Sequence, residues 1–229
     1  MRGNAEHSLI GWEPVGWGFW LRWTLISLIG FLLSFIGAFA LGTLVGLLAV
    51  WRGVVGLNFG IGLAAALAGI LVGAAIGFVQ WLLVRRHLAR SGWWILGSAI
   101  GAGVGAAVAL LVAGAANGPV AWLLGGLIGG LIGGAIIGYL QWRVLQDHFA
   151  PGNALWWIGG SAAAWALGLL VIGMGMDSAA SGTASIQPGI VQVGLLAVLG
   201  AVLASGVTGL VLMRLLRQPA ATVRLSARG

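Results

Sequence analysis

The stretch "GAAIGFVQWLLVRRH" (Gly73–His87) returns 61 residues later as "GGAIIGYLQWRVLQDH" (Gly133–His148). Each copy carries a small residue every fourth position, then a Gln-Trp pair, then charged residues and a His. A small residue at every fourth position keeps one face of an α-helix bare, and the charges mark where that helix leaves an apolar medium. The passage is therefore read as the end of a packed transmembrane helix, used twice.

Composition agrees. Of 229 residues, 60% are hydrophobic and 7% charged, and the mean hydropathy of +1.08 is too high for a water-soluble surface. Runs of about 20 apolar residues suit helices crossing roughly 30 Å of hydrocarbon, where the backbone must satisfy its own hydrogen bonds. The alternation of a β-barrel is absent. The expected fold is all-α and integral to the membrane, with spans at about 19–49, 54–84, 93–114, 120–145, 155–174 and 190–216. Residues 1–18 form an amino-terminal segment and 217–229 an Arg-containing tail. The connections are short except for "GMDSAASGTASIQPG" (175–189), whose Ser, Gly and Thr content reads as an exposed loop. "AFA" (38–40) suggests a cleavage site, but the apolar run around it is too long for a signal core, so the first span is kept as an anchor.

The even-numbered spans share a ladder: Gly69, Gly73, Gly77, then Gly130, Gly134, Gly138, then Ala201, Ser205, Gly209. Odd-numbered spans match as well, "WWILGSA" (93–99) answering "WWIGGSA" (156–162), with ladders Gly97, Gly101, Gly105 and Gly160, Ala164, Gly168. The first span, entered through "FWLRWT" (19–24), aligns with Trp20 over Trp94 and Thr24 over Ser98. Three parallel two-helix repeats result, circularly shifted so that span six pairs with span one. Such repeats suit a pseudo-threefold ring about the membrane normal, and a linear array is the alternative. The ladders allow the close backbone approach by which helices associate in lipid.

All eleven cations are Arg. Ten of them (Arg2, Arg22, Arg85, Arg86, Arg90, Arg143, Arg214, Arg217, Arg224, Arg228) fall on one side of the expected layout and only Arg52 on the other. That bias puts both termini in the cytoplasm. Trp81, Trp142, Trp93, Trp94, Trp156 and Trp157 gather on the Arg-rich side, as interface anchors would. The net charge of +7 borders apolar spans, so anionic headgroups are the expected partner and nucleic acid is not.

Gln80 and Gln141 each follow a ladder glycine by three residues, on the same face. Either they hydrogen-bond across to a neighbouring helix or they contact a ligand; Leu212 takes the third position. His87 and His148 suit a helix carboxyl end, or else ligate a pigment or metal, and Pro219 replaces them in the third copy. Asn58 is an isolated polar residue near the outer end of span two. Cysteine and lysine are absent, no His-Glu-x-x-His spacing occurs, and the arginines of the spans lie near their ends. Thiol, Schiff-base, metalloprotease and proton-relay chemistry all lack their residues. No cofactor or metal is expected, and the chain is not read as an enzyme.

At "FWLRWT", "VQWLLVRRH" (79–87), "WWILGSA" and "LQWRVLQDH" (140–148) the chain resembles a group of Gly/Trp-rich six-span repeat membrane proteins of cyanobacteria and green non-sulfur bacteria. The likeness covers most of the membrane region and implies a bacterial inner-membrane protein. The function expected is non-catalytic: a structural or accessory subunit acting through helix packing, against a membrane-protein partner or itself. A carrier or solute-binding component for a small neutral or apolar molecule is the alternative, and a pigment-associated subunit a third.

Overall fold

The computed structural model describes residues 16–53, 57–85, 92–116, 118, 120–146, 151–180 and 186–217. The described residues form six long helices and no strand: α1 (Trp17–Trp51), α2 (Leu57–Val84), α3 (Gly92–Ala116), α4 (Ala121–Leu145), α5 (Ala154–Ala180) and α6 (Ile186–Leu216), with one 3-10 turn at Pro151–Asn153. All six are long and apolar enough to cross a bilayer, as in a multi-pass membrane protein. Large apolar side chains such as Leu33, Leu47, Leu111, Leu131 and Leu195 stand exposed along the outside, where lipid rather than water would meet them.

Chain breaks lie where the backbone chemistry puts them. Helix α1 stops at Gly53, whose φ of +65° is the left-handed conformation that closes a helix end, with its N–H donating to the Val50 carbonyl at 2.9 Å. Pro188 falls in the first turn of α6, where its missing N–H costs nothing. The segment 175–189, expected as an exposed loop, is mostly helical: α5 runs on to Ala180 and α6 begins at Ile186. Ser and Gly are weak helix breakers, and the final turns of α5 gain from packing that composition does not record.

Each helix packs on the next in sequence, and α1 also packs on α6. Small residues set the closeness. A Cβ placed on Gly134 would lie 2.6 Å from the Ser161 carbonyl, and one on Gly105 would lie 2.9 Å from the Gly129 carbonyl. Side chains on either residue would be driven into backbone.

Helix α4 carries two such ladders. Its "GGLIGGLIGG" run (125–134) repeats a glycine pair every four residues, so neighbouring glycines about 100° apart around the axis serve different partners. Gly125, Gly129 and Gly133 face α3 at Ala109, Gly105 and Gly101, while Gly126, Gly130, Gly134 and Gly138 face α5 at Leu169, Ala166, Ser161 and Ile158. The other ladders face one neighbour each: Gly69, Gly73 and Gly77 meet α3; Gly97, Gly101 and Gly105 meet α4; Gly160 and Gly168 meet α6. The α1–α6 seam is the least closely packed of the six. There Gly209 opposes two bulky indoles, Trp20 and Trp23, in place of backbone.

Candidate functional site

Buried polar side chains of all six spans, among them Ser27, Gln80, Ser98, Gln141, Ser161 and Thr208, gather toward the end of the bundle where α1, α3 and α5 begin. Trp23, Trp94 and Trp157, one from each of those helices, are buried there with at most 1% of their surface exposed. Trp23 meets Trp94 edge-on with centroids 6.0 Å apart, and Trp94 meets Trp157 at 5.6 Å. Lipid tails offer apolar surface as well, so burial alone holds little together here; dispersion and the bonds of the indole N–H groups must do it.

Gln80 makes the first of those bonds. Its Oε1 accepts the Trp94 Nε1–H at 3.2 Å, and its Nε2 donates to Ser27 Oγ at 2.9 Å, so one amide on α2 ties α1 to α3. Gln141 on α4 repeats the second half, its Nε2 donating to Ser98 Oγ at 3.0 Å. Ser98 in turn donates to the Trp94 carbonyl at 2.9 Å. Both amides are buried, as the register with Gly77 and Gly138 requires.

The third unit differs. Leu212 occupies the position of the glutamine and is buried in the apolar cluster around the indoles. One turn earlier, Thr208 Oγ1 accepts the Trp23 Nε1–H at 3.3 Å, and the Trp20 Nε1–H reaches the Gly206 carbonyl at 2.8 Å. Among the described residues three buried polar atoms are left without a partner: Ser161 Oγ, Trp157 Nε1 and Thr24 Oγ1. Such orphans cost about 1–3 kcal/mol each, and Ser161 is the match of Ser98, which Gln141 serves.

The sequence sets Trp20 over Trp94 and Thr24 over Ser98 as repeat equivalents; in the structure it is Trp23 that packs against Trp94, and Ser27 that accepts from Gln80. The spacing Trp-x-x-x-Ser recurs at 23/27, 94/98 and 157/161 and carries that register. The expected interface anchors differ in exposure. Trp93 and Trp156 are 58% and 57% exposed and Trp81 is half-buried, whereas Trp94, Trp142 and Trp157 are buried within the bundle. In a Trp-Trp pair the rings point about 100° apart, so one faces lipid and its neighbour the bundle.

His87 and His148 lie outside the described residues, and Asn58 stands in the first turn of α2 with its side chain outside the description. Sequence reasoning missed Asp177. From the far end of α5 its two carboxylate oxygens accept the backbone N–H groups of Trp122 and Leu123 at 3.1 Å each, capping α4, whose own N-cap Val120 has no side-chain acceptor. No local motif announces a cap that comes from 54 residues away.

Chemically, the network consists of amides, hydroxyls and indoles. None of these is a base or nucleophile at neutral pH without an activating neighbour. Among the described residues no three His, Asp or Glu side chains gather. Comparison with protein-family models, curated proteins and solved structures gave no match to this chain.

Proposed function

We propose that this protein is a non-catalytic structural or accessory subunit of a bacterial inner membrane, acting through the faces of its packed helices. In this reading three parallel two-helix units, with α6 paired to α1, form a pseudo-threefold ring, and both termini are cytoplasmic. The observation that carries it is the use to which the buried amides are put. Gln80 is spent on Ser27 and Trp94, and Gln141 on Ser98, so the polar atoms most suited to a solute are engaged in joining helices. The Arg bias supports the orientation, and the repeated Trp-x-x-x-Ser register supports the ring.

The test is to extract the chain with its native lipid in polymer discs and identify every co-purifying polypeptide and small molecule by mass spectrometry. A stoichiometric polypeptide supports the accessory role. Recovery of the chain alone, with no partner across several extraction conditions, counts against it.

A second reading, a carrier for a small neutral molecule, draws on the three unpartnered atoms at Ser161, Trp157 and Thr24. It requires a solute that raises the unfolding temperature in proportion to its occupancy.

A further inference from the structure

Arg214 lies in the last turn of α6 with its guanidinium 4.7 Å over the ring of Trp156, which belongs to α5. The contact spans two helices and borders a groove of about 180 Å³ lined by Trp156, Leu210, Val211, Arg214 and Leu215. Arg85 provides the contrast: it lies over Trp81 of its own helix, at 5.0 Å. The groove thus has a cation and an indole at one end and aliphatic side chains one turn deeper into the hydrocarbon.

We infer that this groove binds one anionic phospholipid, its phosphate on Arg214 and an acyl chain along Leu210 and Val211. Three observations carry the assignment. Arg214 is exposed, and the one acidic side chain among the described residues, Asp177, sits at the opposite end of α5 bonded to α4. Among the described residues no carboxylate neutralises the cation, and a phosphodiester supplies a countercharge. Trp156, 57% exposed, marks this end of α5 as headgroup depth, where a phosphate resides. Leu210 is 40% exposed, so the apolar wall is open to lipid at that residue, one turn below the cation. A free anion would use Arg214 alone, whereas a phospholipid uses the whole groove.

The experiment takes the full chain in a neutral detergent and measures retained lipid by native mass spectrometry, with unfolding temperature in parallel. The probes are phosphatidylglycerol, phosphatidylcholine with the same acyl chains, and water-soluble glycerol phosphate. One phosphatidylglycerol should be retained about fivefold better than phosphatidylcholine, the ratio given by about 1 kcal/mol per cation. Arg214→Gln should erase that preference, and Leu210→Trp, which fills the groove and leaves the charge, should reduce retention of both lipids. Arg143→Gln should change neither. Each variant's melting curve without lipid reports its folding, and Leu210→Trp decides the matter should Arg214→Gln unfold. Equal retention of the two lipids by the unaltered chain overturns the assignment. So does unchanged retention in Leu210→Trp, and so does an equal thermal shift from glycerol phosphate, which would mark an anion site without a lipid.

Discussion

The indole N–H of Trp94 and the amide oxygen of Gln80 lie 3.2 Å apart across the α2–α3 contact, and the other end of the same amide reaches Ser27 on α1. A single side chain therefore closes two helix interfaces. Gln80→Leu, which keeps most of the volume, should strand the Trp94 N–H and the Ser27 hydroxyl and lower stability by about 1–3 kcal/mol. Gln141→Leu should cost less, since the bond it gives up is the one to Ser98. Thermal unfolding in detergent ranks the two; the reverse order would mean that Gln80 is not the linchpin described.

Leu212 stands where the pattern of Gln80 and Gln141 places a third amide, and Ser161 has no partner. Leu212→Gln should be tolerated to within about 0.5 kcal/mol, because the new amide gains a hydroxyl worth about 0.6 kcal/mol or more. Leu215→Gln, equally buried and three residues further on, should cost about 2 kcal/mol or more. Equal damage from both would show that no waiting acceptor lies beside position 212.

Two glycines of the same bundle should answer oppositely to one methyl group. Gly134→Ala puts a Cβ 2.6 Å from the Ser161 carbonyl and 2.8 Å from Ala162 Cα, backbone that has no room to yield, and should cost about 1–3 kcal/mol. A Cβ on Gly159 meets nothing within 4 Å, so Gly159→Ala should be neutral or stabilise by up to about 1 kcal/mol through helix propensity. Melting temperatures of the two variants check the contrast.

Asp177→Ala should uncover the first turn of α4, costing about 0.5–2 kcal/mol, while Asp177→Asn, which keeps one acceptor, should retain part of the effect. Hydrogen exchange at the Trp122 and Leu123 amides provides the local readout. Exchange unchanged in Asp177→Ala would contradict the capping role.

Much of this architecture is legible from sequence because lipid imposes long apolar runs and confines charge to their ends. The helix ends around Arg52, Arg85 and Arg143 follow directly from that constraint. Finer features depend on which way a residue points. Trp93 and Trp94 are alike in sequence and opposite in environment, and Thr24 and Ser27 are hydroxyls three residues apart of which only the fold shows that Ser27 meets Gln80. The glycine pairs of α4 read as one ladder because a repeat search registers the period and not the two faces it supplies. Asp177 and Trp122 are joined only through the fold, and "MDSAAS" (176–181) resembles a loop by every local measure except the packing that keeps most of it helical.

The seam between α1 and α6 has a temporal meaning as well. Its two indole bonds, Trp20 to Gly206 and Trp23 to Thr208, join residues 186 and 185 positions apart. Helix α1 is synthesised before its partners on α6. Those N–H groups cannot meet their native acceptors until α6 has been made, so this seam closes only after all six helices exist.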